Sequence, residues 1–302
     1  MNFTAKDVVA LREKTGCGMM DCKKALVSAD GDMDKAVELL REKGLATAAK
    51  KAGRIASDGV VCAEIDGATK TGVVVEVNSE TDFVAKNASF QEFVKVVADT
   101  ILKQNPADVD ALMALKPEGS ALTVADLEKE KVQTIGENIK VRRFTRMEGD
   151  LVSYVHGGGR IGVMVKFDTD VADKPEFAVY GKDVAMQIAA MNPQYLDRSV
   201  VPAAVLDEEK KVLLAQAINE GKPENIAQKM VMGRVNKFYK ENCLVDQEFV
   251  KDASLTVAKY TDQCAKQLGG KIRIVSFVRY EKGEGLEKRS DNLADEVAKM
   301  VK

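Results

Sequence analysis

Gly72-Val-Val-Val-Glu-Val77 and Gly162-Val-Met-Val-Lys-Phe167 are the stretches on which the fold turns. Each is a short apolar run, largely of β-formers, opened by a glycine. Each follows another β-rich run across a turn: Val60 to Ile65 before the first, Leu151 to Val155 before the second. Two such runs joined by a turn predict a β-hairpin, and each hairpin leads into a helical pattern. A further echo lies downstream, where Asn138-Ile-Lys-Val-Arg-Arg-Phe-Thr-Arg-Met-Glu-Gly149 is matched by Lys271-Ile-Arg-Ile-Val-Ser-Phe-Val-Arg-Tyr-Glu-Lys-Gly283. The spacing predicts an α+β core built as a duplicated unit of hairpin, helices and third strand, over residues 58–149 and 150–283.

The second copy is much the longer, so it must contain an insertion. The candidate is about 197–240, two helical patterns joined at Gly221-Lys222-Pro223. Gly suits a helix end and Pro a first helical turn. A short loop between long helices implies an antiparallel helical hairpin, with Val205, Val212, Ile218, Ile226, Met230 and Val235 expected along its seam. An arm of this kind is expected to contact something.

On the N-terminal side, residues 4–44 read as three short helices, a module of 1–45. Thr4 and Asp7 have capping-box spacing, Thr15 to Gly18 breaks the first helix, Asp30-Gly31-Asp32 ends the second, and Gly44 is expected to end the third. Residues 46–57, with Lys50, Lys51 and Arg54, are expected to form a partly helical linker. Residues 284–302 are expected to carry one amphipathic C-terminal helix, Asp291 to Met300.

Composition narrows the function. The chain has 302 residues, 45% hydrophobic and 30% charged, enough apolar material for packed cores. A net charge of −2 and a pI near 5.8 disfavour a dedicated nucleic-acid binder, which usually carries a basic face. The five cysteines, Cys17, Cys22, Cys62, Cys243 and Cys264, are odd in number and lack metal or redox spacing, as expected in a reducing compartment. No apolar run is long enough to span a membrane and the first residues lack a signal-peptide pattern, so the expected location is cytoplasmic.

Enzyme signatures fail one by one. His156 is the sole histidine, which removes most histidine-based acid–base schemes. It precedes Gly157-Gly158-Gly159-Arg160-Ile161-Gly162, a formal G-x-G-x-x-G match. A dinucleotide fingerprint needs a helix next, and here a strand pattern follows. A kinase loop needs H-R-D and D-F-G motifs, and neither occurs. The glycines are instead expected to supply the positive φ of a hairpin turn. There is no phosphate loop and no metal-ligand spacing, so no catalytic residue, cofactor or metal is expected.

What remains is Glu76-Val-Asn-Ser-Glu-Thr81-Asp82-Phe83-Val84-Ala85-Lys86-Asn87, where a strand gives way to a helix. Spacing allows two accounts. Thr81 or Asp82 caps the helix and Phe83 folds into the core. Alternatively, Asp82 and Phe83 stand exposed together as a carboxylate beside an aromatic wedge.

Two strings resemble the signatures of the translation elongation factor Ts family. They are Leu11-Arg12-Glu-Lys-Thr15-Gly-Cys-Gly-Met19-Met20-Asp21-Cys-Lys-Lys-Ala-Leu26 and Glu76-Val-Asn-Ser-Glu-Thr81-Asp82-Phe83-Val84-Ala85-Lys86. The similarity runs over essentially the whole chain. It implies a ubiquitin-associated-like N-terminal module, an α+β core, and a helical arm that serves homodimer contacts in some relatives. It implies a non-enzymatic guanine-nucleotide exchange factor whose partner is elongation factor Tu, GDP-bound and nucleotide-free, with no direct nucleic-acid or membrane partner. Carried over, Thr81, Asp82, Phe83 and Val84 would dislodge Mg²⁺ from the partner. Leu11, Arg12, Met19, Met20, His156, Gly157 and Gly158 would make other contacts, and the N-terminal module and C-terminal helix would grip the nucleotide-binding domain. Two other readings rank lower: an RNA binder using Lys50, Lys51, Arg54 and Arg142-Arg143, and a small kinase-like enzyme resting on the glycine turn.

Overall fold

The computed structural model describes residues 2–288. The C-terminal helix expected at 291–300 lies outside the described residues. In chain order, α1 (Ala5–Thr15), α2 (Met19–Ser28) and α3 (Met33–Lys51) precede β1 (Asp58–Asp66) and β2 (Thr71–Ser79). Then come α4 (Asp82–Ala85), α5 (Ala88–Gln104), α6 (Val109–Ala114), α7 (Val124–Ile135) and β3 (Lys140–Glu148). After β4 (Asp150–His156) and β5 (Ile161–Thr169) follow α8 (Pro175–Met191), α9 (Ala203–Asn219) and α10 (Glu224–Asn242). The chain continues through β6 (Glu248–Phe249), β7 (Asp252–Thr256), α11 (Val257–Leu268) and β8 (Ile272–Glu281). The fold is α+β.

Two antiparallel sheets organise the core, ordered β1-β2-β3 and β4-β5-β8. The registers break at matching places, beside Glu76/Val77 on β2 and Lys166/Phe167 on β5. Side chains alternate across a strand, and β2 uses both faces. Val73, Val75 and Val77 join Phe90, Phe93, Val97 and Ile101 of α5 on the outer side. Val74 points the other way, to Val61 and Met164. On β5, Val163, Val165 and Phe167 pack with Phe177, Tyr180 and Val184 of α8, and Met164 turns inward. The layers therefore run helix, sheet, sheet, helix. The opening glycines of the two apolar runs make the sheet-to-sheet approach feasible. A Cβ on Gly72 would lie 2.4 Å from Met164 Sδ, and one on Gly162 would lie 2.4 Å from Val61 Cγ1.

The N-terminal module closes its own small core with Val8, Leu11, Cys22, Leu26, Ala36 and Leu40. Thr4 and Asp7 form the capping box that their spacing predicts. Gly44 does not end α3, which runs on through Lys51. The reason is tertiary: a Cβ on Gly44 would sit 2.3 Å from Gln133 Oε1, so this glycine lets α3 lie tightly on α7. Half of the expected linker is thus helix, continuous with the module.

Helices α9 and α10 pack on each other as an antiparallel pair. Their seam differs from expectation, because Val205, Val212, Ile218 and Ile226 are exposed. Ala217 and Ala227 are buried instead, and Leu206, Leu213, Leu214, Met230, Val231 and Val235 are half-buried. At the base, Arg198 pairs with Asp246 at 2.7 Å, bonds Asn236 at 3.2 Å and lies over the Tyr239 ring at 4.8 Å. Among the described residues, no helix is long and apolar enough to cross a membrane.

Candidate partner-binding surface

Strand β2 delivers the chain to the corner at Ser79. There the Ser79 hydroxyl donates to the Thr81 carbonyl at 2.9 Å. The Thr81 hydroxyl does not cap the helix that follows. It donates to Glu137 Oε1 at 2.7 Å, while the Thr81 backbone N–H donates to Glu137 Oε2 at 3.0 Å. Helix α4 is a single turn, and Val84 seals its inner side by joining the core of α5 and β2. Asn87 caps the next helix by accepting from Ser89 and Phe90 N–H.

With Thr81 tied and Val84 buried, the outer side of the turn has nowhere to fold. Phe83 is 80% exposed, the most exposed of the large hydrophobic residues among those described. Asp82 beside it is exposed and lies 3.4 Å from Lys86, an exposed i,i+4 pair worth little. The account in which Phe83 enters the core is therefore not the one realised. The ring and the carboxylate share an open groove with Arg160, Glu281 and Lys282. Hydrogen bonding from Arg279 holds the Glu281 carboxyl below its usual range, and Arg160 adds to the effect.

Arg160, which lines that groove, directly follows the glycine turn. Gly157, Gly158 and Gly159 all have positive φ, at 60°, 64° and 97°, and join β4 to β5. The Gly159 carbonyl accepts from Val61 N–H at 2.7 Å, so the turn is fastened to β1 of the other sheet. His156 is exposed at the end of β4, its Nδ1 3.0 Å from the Tyr154 hydroxyl.

On the N-terminal module, Met20 is 62% exposed, Met19 40%, and Arg12 is exposed. Leu11 is a correction. It is wholly buried in the module core, so it has no surface to offer a partner.

Of the five basic residues that suggested RNA, Lys50 is exposed and the other four have partners within the chain. Arg142 and Arg143 both bond the buried Glu76 carboxylate, at 2.9 and 2.6 Å. Lys51 donates to the Gly136 carbonyl, and Arg54 lies 3.5 Å from Glu80. Sequence reasoning missed Glu137, which holds Thr81 from 56 positions away. No local pattern signals such a contact.

The model of the family described as Elongation factor TS matches residues 80–284. The chain is 48% identical to "Elongation factor Ts" of Syntrophotalea carbinolica, covering 100% of both chains. It is 52% identical to "Elongation factor Ts" of Clostridium perfringens over 99% of each. For "Elongation factor Ts" of Clostridioides difficile the figure is 48%, over 100% of this chain and 99% of the relative. With likeness of this degree along its full length, and with a family match that begins at the Phe83 corner, the chain belongs to the elongation factor Ts family.

Proposed function

We propose that the chain is a guanine-nucleotide exchange factor for elongation factor Tu in the cytoplasm. It acts by inserting the Phe83 corner beside the partner's Mg²⁺ and so promoting GDP release. The observation that carries this reading is the 80% exposure of Phe83 next to an exposed Asp82, on a turn whose other side is anchored. A large ring held in water is unfavourable unless a partner covers it. Aromatic anchors of this type dominate interface energetics.

The mechanism is linkage. In a GTPase, Mg²⁺ bridges the phosphate oxygens and a protein hydroxyl, so ion and nucleotide hold each other. A protein that binds the GTPase better without nucleotide weakens nucleotide binding by the same factor. The ring enters an apolar pocket, Asp82 disturbs the charge balance near the ion, and GDP leaves. GTP then binds because it is in excess. No bond is made or broken, so the factor needs no catalytic group or cofactor.

The glycine turn with His156 contacts a second region of the partner, and the Arg12, Met19 and Met20 face of the N-terminal module grips its nucleotide-binding domain. The arm of α9 and α10 serves homodimer contacts.

Stopped-flow release of labelled GDP from elongation factor Tu tests the reading. Phe83→Ala is expected to cut stimulated release by roughly tenfold or more, the scale of a buried aromatic anchor. Asp82→Ala is expected to cut it less. Unchanged stimulation by both folded variants would remove the wedge from the mechanism.

A further inference from the structure

We infer that Glu137 is the positioning residue for the Phe83 corner; the inference rests on the exchange reading above. Three facts place it there. Its two carboxylate oxygens accept separately from the Thr81 N–H and the Thr81 hydroxyl, so both the backbone and the side chain of one residue are fixed by one group. A carboxylate acceptor gives shorter and stronger hydrogen bonds than a neutral one. Thr81 is the N-cap of α4, and its side chain makes no cap bond to that helix, so its hydroxyl is committed to Glu137.

The neighbouring residues brace the same junction. Asn138 N–H donates to Glu80 Oε1 at 2.7 Å, and the Asn138 amide donates to the Arg54 carbonyl at 2.8 Å. Lys51, at the end of α3, donates to the Gly136 carbonyl. Residues 136–138 thus tie the exit of α3 and the corner of β2 to one short loop.

The consequence concerns the ring. Helix α4 has four residues, too short to hold itself. Val84 pins its inner side, and Glu137 fixes the residue from which it starts. A wedge that acts in the nucleotide-releasing step, after the two proteins have docked, loses effectiveness if its backbone wanders, because ordering it in that step costs conformational entropy. Glu137 removes that cost in advance.

Three measurements on the full chain test the inference. The first needs no partner. In Glu137→Ala, amide hydrogen exchange at Thr81, Lys86 and Asn87 is expected to quicken by about tenfold or more, while the amides of β2 and α5 keep their protection. Unchanged protection at the corner would overturn the proposal.

The second is GDP release from elongation factor Tu. Glu137→Ala is expected to lower the maximal stimulated rate by about tenfold, the rate equivalent of ~1.4 kcal/mol, with little change in the half-saturating concentration. Glu137→Gln keeps one carbonyl acceptor and is expected to recover part of the loss. With Phe83→Ala impaired in the same assay, an unchanged maximal rate for Glu137→Ala, or a loss confined to half-saturation, would overturn it.

The third is a double-mutant cycle. Glu137→Ala on top of Phe83→Ala is expected to cost almost nothing more, because Glu137 acts through the ring. Fully additive losses would overturn the proposal. If Phe83→Ala releases GDP normally and Glu137→Ala still loosens the corner, the exchange reading has failed and the positioning role has survived.

Discussion

Glu76→Ala removes the acceptor at the most densely bonded polar point of the core. The wild-type carboxylate is fully buried. It accepts from Arg142 Nη1 at 2.9 Å, Arg143 Nε at 2.6 Å, Asn78 Nδ2 at 3.0 Å and the Gly283 N–H at 2.7 Å. Removing one partner of a buried ion pair costs about 3–5 kcal/mol, because the other charge is left without compensation. Here both guanidinium groups keep second partners. Arg142 still donates to the Glu284 carbonyl at 2.5 Å, and Arg143 still pairs with the Glu284 carboxylate at 3.2 Å. The Gly283 N–H keeps none of its bonding to Glu76, a loss on the order of 1–3 kcal/mol for a buried donor. The lower end of the range is therefore expected, about 3 kcal/mol. In urea titration this moves the midpoint down by about 1 M for a slope near 3 kcal/mol/M. Glu76→Gln, which keeps one carbonyl acceptor and the volume, should lose about half as much. A Glu76→Ala midpoint within about 0.2 M of wild type, or a Gln variant weaker than the Ala variant, would refute the view that Glu76 joins β2 to the segment after β8.

Glu128 supplies a pH test. Burial lifts its carboxyl from the ordinary 4.5 to about 7, opposed by the hydrogen bond from Val141 N–H. The native state thus binds this proton more tightly than the unfolded chain, so the stabilisation is complete below pH 4.5 and is lost as pH rises through about 7. Glu128→Gln keeps the acceptor for Val141 and is expected to be more stable than wild type at pH 8 by about 1–3 kcal/mol, with the advantage shrinking at pH 5. Denaturant curves at the two pH values decide it, and a pH-independent difference would refute it. Leu11→Ala empties a fully buried site and should cost about 2–4 kcal/mol by thermal unfolding, whereas Met20→Ala on the exposed face should stay within ~0.5 kcal/mol. The reverse order would show that Leu11 is not interior.

The strands were legible because their signal is local: Val60 to Ile65 and Gly72 to Val77 declare a hairpin without reference to anything distant. The capping box at Thr4 is local in the same way. Gly44 defeats a local reading because a glycine that ends a helix and one that admits a neighbour look alike in sequence. Only the position of Gln133 separates them. The arm's phase is hidden in the sequence because α9 carries apolar residues around most of its circumference, and the buried contacts at Ala217 and Ala227 come from side chains too small to announce a stripe. At the Phe83 corner, spacing left capping and exposure as alternatives. The choice was made by Glu137, which takes the Thr81 hydroxyl that a cap would have used.

The clamp at Arg198 has a geometric corollary. Helices α9 and α10 hold 17 and 19 residues, so at 1.5 Å per residue the rod reaches about 25 Å from its root. A swivel of about ten degrees at the root carries the tip at Gly221 through some 4 Å, by simple leverage on that length. Stiffness at the far end therefore depends on how the root is held, by Arg198 against Asp246 and the Tyr239 ring and by the backbone bonds that join Tyr195 to Asn242 and Leu244.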